Sequence, residues 1–376
     1  MRASGQQAED KIQMLKLDGI TKRFGDITAV NRLSIEVSAG EIIVLLGSTG
    51  AGKTTTLRIA AGLENPDEGR VILDGRDVTK LPASYRDVAM IFEAHNLYPI
   101  YNVYDNIAFP LRAPGRKLPE KEIKEKITKV AADLRISHLL DREIITLSGG
   151  EIQRAALART LVRTPRIYLM DEPLSNLDLK LREELRVEFH ELHKRYGATM
   201  LYVTHDFVSA VSIGDRIGIL DRGKLHQVGT PDELHQDPQT LTVAALMESP
   251  PMNLMPCQMA EGSILVDQEA KAIFPLSEGQ GARVREKAGD AEIVLGVWPE
   301  DIKIGVPESE RAFHGLIVGK EFQGANTLIN LSVGKTILKT LADPDFQGEF
   351  GKLCRFYFPF EKIYLFDKRN GERIYF

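Results

Sequence analysis

Residues 41–55 read EIIVLLGSTGAGKTT, an apolar run that breaks into a glycine-rich turn ending in Gly-Lys-Thr-Thr. The spacing G-x-x-x-x-G-K-[ST] carries meaning only between a strand and a helix, and this stretch follows a predicted strand and opens a predicted helix. It sits in a region, from Leu15 to about Gln239, where short β-rich runs alternate with longer helical patterns. That alternation predicts an α/β layer fold on a mainly parallel sheet. EIIVLLG, RIYLMDEP and TMLYVTHD are near-continuously apolar, as parallel strands covered on both faces must be.

Gly47, Gly50 and Gly52 allow a backbone path that a side chain would block. The amides of Gly47, Ser48, Thr49, Gly50, Ala51, Gly52 and the opening helical turn through Thr55 can then wrap a triphosphate at the positive helix end. Lys53 is placed to neutralise the β- and γ-phosphates, and the Thr54 hydroxyl to hold Mg²⁺. The loop by itself indicates nucleotide binding and nothing narrower, since kinases, GTPases and motors share it.

Two further strand ends narrow the chemistry. Asp171, in IYLMDEP, ends an apolar run where open α/β sheets gather their ligands, and can hold Mg²⁺ through the metal's water shell. Glu172 follows on the same edge and can polarise a water for attack on the γ-phosphate. An Asp-Glu pair is also an ordinary helix or turn cap, but a cap does not account for its place after a buried strand in a chain that carries a phosphate loop. His205, in YVTHD, ends a third such run. A lone histidine there is more often structural; what raises it is that one sheet edge would gather Lys53, Asp171, Glu172 and His205. A second glycine turn, TLSGGEIQRA, stands ahead of a helical pattern, so Ser148, Gly149, Gly150 and Glu151 form a second anion-site candidate. Ser148 and Glu151 also have the spacing of a capping box, which accepts Glu or Gln.

At 376 residues the chain is long enough for two domains. No run approaches the roughly 20 apolar residues that span a bilayer, and the polar start MRASGQQAEDKIQ lacks the apolar stretch of a signal peptide, so a cytosolic protein is expected. Two cysteines, Cys257 and Cys354, are too few for a disulfide framework or a zinc site. A net charge of −5 without a long basic block argues against a nucleic-acid partner. Ile123, Ile127, Val130 and Leu134 fall at helical spacing, as do Leu181, Leu185, Phe189 and Leu192 ahead of Gly197. Both stripes are read as core. Beyond about residue 240 the helical pattern disappears, and EGSILVD, AEIVLGVW, FHGLIVGKEF and KLCRFYFPF alternate with Gly, Pro and Asp, which predicts a small all-β barrel or sandwich.

Taken in order, GSTGAGKT, LSGGE, LMDEP, SNLD and VTHD resemble the phosphate loop, signature, Mg/base strand, D-loop and switch histidine of the ABC transporter ATPases. The resemblance covers residues from about 15 to 240. It implies a polar tail over 1–14, an α/β P-loop ATPase domain over 15–240 with a helical subdomain at about 93–160, and a small all-β, oligomer-binding-fold-like regulatory domain over 241–376. It also implies ATP and Mg²⁺ as ligands, Glu172 as base, His205 as sensor of the γ-phosphate and Asp178 of the D-loop at the nucleotide. In that family two ATPase subunits face head to tail, so Ser148, Gly149, Gly150 and Glu151 would close over the nucleotide of the other chain. Phe24, in TKRFGDITAV, stands where the family places an aromatic on the adenine. Base–aromatic stacking is worth roughly 1–3 kcal/mol in nucleic-acid systems. The alternative is a phenylalanine packed in a hairpin core.

ESPPMNLMP and GVWPEDIKIG are similar to segments of the regulatory domain of the maltose-type sugar-importer ATPases. The resemblance therefore implies the ATP-hydrolysing subunit of an importer for a sugar, polyol or sugar phosphate. Its partners would be two transmembrane permeases, a solute-binding protein and a second ATPase subunit, and its place the cytoplasmic face of the membrane. Polyamine, iron or sulfate import is the alternative, as is a soluble ABC ATPase without transport; the latter usually carries two ATPase halves or long coiled coils, which this chain does not show. Two departures stand out: Glu93 replaces the usual Gln of the Q-loop, and Glu151 the usual Gln of the signature. Glu93 can still offer an oxygen to Mg²⁺, but it loses an amide donor. In a homodimer, the family's habit, each composite site would combine both carboxylates. At an effective dielectric near 20 each costs on the order of 1–4 kcal/mol before Mg²⁺ and Lys53 offset it, which pulls toward a heterodimer.

Overall fold

The chain enters the fold through a long antiparallel hairpin, β1 (Gln13–Phe24) and β2 (Ile27–Ser38). β3 (Ile42–Leu46) runs into α1 (Lys53–Ala61), and β4 (Glu68–Leu73), β5 (Arg76–Asp77) and β6 (Val88–Ile91) follow. Helices α2 (Val103–Ala108), α3 (Glu120–Asp133) and α4 (Gly149–Leu161) intervene. The sheet then resumes with β7 (Ile167–Asp171), α5 (Leu179–Tyr196), β8 (Met200–Thr204), α6 (Phe207–Ile213), β9 (Arg216–Asp221) and β10 (Lys224–Gly229). This computed structural model describes residues 12–92, 96–113, 118–175, 177–247, 249–260, 263–267, 272–288, 292–305 and 313–376. Glu93 lies outside the described residues.

The strands of this first unit form two sheets. In the order β10-β9-β3-β8-β7-β6, all but β10 run parallel. The second sheet, β2-β1-β4-β5, is antiparallel, an addition to the single parallel layer that the sequence predicts. Every residue of β3, β7 and β8 is buried, because both faces are covered. On one face Ile43, Leu169 and Leu201 share a core with Leu57 of α1 and with Leu17 and Val30 of the hairpin. On the other, Phe189 of α5 meets Tyr202 of β8 edge to face at 6.1 Å. Each such fully buried side chain contributes about 1.5–3 kcal/mol, so the apolar runs fix the strand positions and with them the strand ends. Ile123, Ile127 and Val130 are buried along α3, and Leu134 just beyond it. One buried charge steadies the phosphate-loop helix: the Arg86 guanidinium donates to the carbonyls of Ile59 and Ala60 at the end of α1 and to those of Thr79 and Leu81. The Ile59 and Ala60 carbonyls belong to the last turn of α1, where intrahelical donors run out.

The two compact units part between Pro231 and Asp232, ahead of the expected boundary near 240. The residues in between are held by the C-terminal strands: the Arg373 amide donates to the Gln239 carbonyl at 2.9 Å and the Leu241 amide to the Gly371 carbonyl at 2.8 Å. The second unit takes up the rest of α7 (Pro231–Gln236), then α8 (Leu241–Leu246), β11 (Asn253–Ala260), β12 (Ser263–Asp267), β13 (Ala272–Pro275) and α9 (Glu278–Ala288). Strands β14 (Ile293–Val297), β15 (Lys303–Ile304), β16 (Phe313–Phe322), β17 (Thr327–Val333), β18 (Thr336–Ala342), β19 (Leu353–Tyr357), β20 (Ile363–Asp367) and β21 (Arg373–Ile374) complete it. They form antiparallel sheets in the orders β13-β12-β11-β14-β20-β21 and β15-β19-β16-β17-β18 around a core of their own. The expected loss of helix is corrected by α9, whose two glycines and near-absence of apolar residues hide its period.

Because the second unit contributes none of the phosphate-loop or strand-end residues, a chain ended after Pro231 is expected to fold and bind ATP. Ending it after Gln239 would instead strand a segment whose partners lie in the removed strands. Titration of both truncations with a fluorescent ATP analogue checks this; failure of the shorter chain alone would put the division in the wrong place.

Candidate active site

The turn from β3 into α1 has no room for side chains at two of its glycines. A Cβ on Gly47 would stand 2.1 Å from the Leu220 carbonyl oxygen, and one on Gly52, where φ is +103°, 2.3 Å from that of Ala29. Backbone oxygens cannot yield at such distances, so the loop can follow this path only with glycine at these positions. Lys53, 6% exposed, folds back and donates to the carbonyls of Gly47 at 2.9 Å and Ser48 at 3.0 Å. The same ammonium stands 3.5 Å from Glu172 Oε1.

The sheet edge assembles the four residues picked out in the sequence. The Thr54 hydroxyl donates to Asp171 Oδ1 at 3.0 Å, across the ends of α1 and β7. Both are oxygen donors, the hard ligands that Mg²⁺ takes, and together they leave room for water and phosphate oxygens. Glu172, one residue beyond β7, has φ +45°, in the left-handed region, and its amide bonds the Val203 carbonyl at 3.1 Å. Non-glycine residues are held there only when the surroundings fix them, and functional sites are where such strain concentrates. His205 Nδ1 is hydrogen-bonded to Glu172 Oε2 at 2.7 Å, so one carboxylate is shared between a lysine and a histidine. The open side is a cavity of about 610 Å³ against which Thr49, Gly50, Lys53, Thr55, Glu172 and His205 are arrayed. A cavity of that size, with a few polar groups converging on it, suits a nucleotide.

The signature turn sits elsewhere. Ser148 caps α4 and Glu151 closes a capping box: its Oε2 accepts from the Ser148 amide and from the Ser148 hydroxyl, both at 2.8 Å. These bonds, the backbone one first, hold the Glu151 carboxyl below its ordinary range. A Cβ on Gly150 would meet Leu181 Cδ2 at 2.2 Å, so the turn is pressed against the start of α5. Asp178 caps that helix, accepting from the Leu181 amide at 3.0 Å, and Arg182 ties down the carbonyls of Ser175 and Leu177. None of Ser148, Gly149, Gly150, Glu151 and Asp178 lines the cavity that holds Lys53. Phe24 does not line it either. It is 48% exposed at the tip of the hairpin, with the Lys22 ammonium 5.2 Å from its ring, so the hairpin-core alternative does not hold.

Five wall residues were not singled out in the sequence: Ile27, Thr28 and Ala29 at the start of β2, Ser175 and Arg222. Ser175 donates to the Glu172 carbonyl at 3.0 Å, fixing the turn after the strand end. Its place at the head of SNLD was the available signal. Arg222 sits between β9 and β10, where Asp-Arg-Gly reads as a hairpin turn and nothing more.

Comparison with known proteins places the chain closely. The ABC transporter family matches residues 30–175. The trehalose/maltose import ATP-binding protein of Thermococcus litoralis is 38% identical over 373 residues, covering 96% of this chain and 99% of that protein. The xylose/arabinose import ATP-binding protein of Haloferax volcanii is 39% identical over 373 residues, 96% and 95% of the two chains. The sn-glycerol-3-phosphate import ATP-binding protein of Yersinia enterocolitica is 35% identical over 368 residues, 96% and 99%. Among solved structures, a dimeric ATP-binding cassette in a post-hydrolysis state bound to ADP and Pi superposes with a TM-score of 0.53 at 29% identity, over 58% of this chain and 98% of that one. A component of an ABC transporter complex from Clostridium perfringens gives 0.54 at 26% identity, over 61% and 92%.

Proposed function

This chain belongs to the family of ABC transporter ATP-binding subunits, and on that premise we propose that it couples ATP binding and hydrolysis to the import of a sugar, polyol or sugar phosphate. The observation that carries the ATPase reading is the Lys53–Glu172–His205 cluster beside the Thr54–Asp171 pair on one sheet edge. The solute class rests on the three import proteins, each matched over nearly its whole length.

In this reading the loop amides and Lys53 bind the phosphate chain, with Lys53 leaving the carbonyls of Gly47 and Ser48 to do so. Thr54 and Asp171 would hold Mg²⁺, which would supply neutralisation of the phosphate charge. Glu172 orients a water and accepts its proton as the water oxygen attacks the γ-phosphorus and the bond to the β-phosphate oxygen breaks. His205 holds Glu172 in place and, turned toward the cavity, reports the γ-phosphate. Phe24 is assigned to the adenine end, and Glu93 to Mg²⁺ from the Q-loop.

Membership of the family implies permease partners in the membrane. We assign two of them, with a solute-binding protein, and place this chain on the cytoplasmic face; among the described residues no helix is long and apolar enough to cross a bilayer. Residues 241–376 we read as a regulatory domain of the oligomer-binding-fold kind, which its antiparallel sheets support. A second ATPase subunit completes each site: Ser148 and Gly150 stand outside this chain's own cavity, which supports their closing over a partner's nucleotide. The Glu151 charge is already met by two hydrogen bonds from Ser148, which eases the homodimer. The composite site predicts that the Glu172→Gln chain, retaining ATP, dimerises when ATP is added, and that Ser148→Glu prevents this while the monomer still binds ATP. Light scattering with and without ATP reads the result. Self-association that survives Ser148→Glu would contradict the arrangement, and an ATP-bound monomer that pairs only with a different ATPase would establish the heterodimer.

A further inference from the structure

We propose that Arg222 is a nucleotide-contacting residue that holds the α-phosphate and ribose side of the bound nucleotide, an inference that rests on the nucleotide reading of the cavity. Arg222 and Gly223 form the two-residue loop between β9 and β10, closed by the pair Asp221↔Lys224, with φ of +45° and +77°. Two successive positive φ values are the mark of a hairpin turn that prefers Asn or Asp followed by Gly. The β4–β5 hairpin makes the same kind of turn with Asp74 and Gly75, at φ +50° and +73°. The turn demands that conformation, and an arginine adopts it at a cost that Asn or Asp in the same position would largely avoid.

Packing does not explain it. The Arg222 side chain is 94% exposed, and its one ion pair among the described residues, to Asp221 Oδ2, spans 3.9 Å on the surface. Such a pair is worth little. The turn beneath it is fixed: the Gly223 amide donates to the Ala51 carbonyl at 2.9 Å, and the Asn31 amide to the Gly223 carbonyl at 2.8 Å. A Cβ on Gly223 would lie 2.9 Å from the Ala29 carbonyl oxygen, so the loop lies directly against β2. The phosphate loop and the hairpin therefore carry an exposed guanidinium to the wall of the cavity shared with Ile27, Thr28 and Ala29. The Lys53, Glu172 and His205 groups that claim the γ-phosphate are bonded to one another and not to this wall. What remains for Arg222 is the rest of the nucleotide, and a guanidinium pairs well with phosphate oxygens.

The test uses the full-length chain and Arg222→Asn, which suits the positive φ and removes the guanidinium with its reach, with Arg222→Lys as the charge-retaining control. Fluorescent-analogue displacement by ATP, ADP and GTP and steady-state hydrolysis are measured at low and high salt. The expected result for Arg222→Asn is an unchanged or higher melting temperature and about a tenfold rise in Kd, equal for the three nucleotides because all carry the α-phosphate and ribose. The loss falls on KM rather than kcat and shrinks at high salt; Arg222→Lys recovers part of it. Parental affinity and salt dependence in Arg222→Asn, or a loss confined to ATP, would overturn the inference while leaving the nucleotide site standing. A parental chain that binds no nucleotide, at a concentration where Lys53→Ala behaves the same, would overturn the nucleotide reading and this inference with it.

Discussion

Replacing Glu172 with glutamine is expected to slow ATP hydrolysis by about 10²–10⁴-fold, equivalent to roughly 3–5 kcal/mol of barrier, with ATP still bound. The substitution keeps the side chain's shape and one oxygen for the bond to His205, and removes the basic oxygen that would take the water's proton. It also removes the charge 3.5 Å from Lys53, so the lysine is freer to turn to phosphate and nucleotide affinity is not expected to fall. Single-turnover hydrolysis in the assembled transporter, beside equilibrium ATP binding, separates the two effects. Near-normal turnover would take Glu172 out of the role of base.

Lys53→Ala is expected to act on the opposite parameter, weakening ATP binding by roughly 10²-fold or more. Two charge-assisted hydrogen bonds to phosphate, at about 1.5–3 kcal/mol each, set that scale. Lys53 is buried and makes its present bonds to the Gly47 and Ser48 carbonyls, groups that can turn to other donors when it is gone. Glu172 is left with His205 as its partner, so the truncation both removes a cation and exposes the site to an uncompensated carboxylate. Isothermal titration with MgATP reads the change; parental affinity would mean that the lysine's folded-back position is its permanent one.

Much of the active-site arrangement was legible because parallel strands announce themselves. β3, β7 and β8 are apolar nearly throughout, so the polar residues at or just past their ends, Ser48, Asp171 with Glu172, and Thr204 with His205, fall on one sheet edge by construction. The capping box at Ser148 and Glu151 was legible for a local reason, since its spacing is set by one helical turn. The β-rich tail showed in its alternation. What stayed hidden depends on partners distant in sequence. The N-terminal antiparallel sheet pairs β1 with β4 across some fifty residues, a register that no window contains. The unit boundary is decided by Gln239 and Leu241 bonding to residues near the C-terminus. α9 buries Val284 and little else, too few apolar positions for a period. Arg222 has no signature because its meaning lies in what Ala51 and Ala29 bring beside it.

The central claim, that this chain drives carbohydrate import, is tested most directly by uptake into proteoliposomes of the transporter purified from native membranes through this subunit, with ATP supplied to its side. The account predicts that the complex contains permease chains and that a labelled sugar, polyol or sugar phosphate delivered by its binding protein accumulates only with ATP. It also predicts that the same complex carrying Glu172→Gln in this subunit accumulates none over the same time. A purified assembly without permeases, or one that hydrolyses ATP while moving only solutes of another class such as polyamine, iron or sulfate, would contradict it.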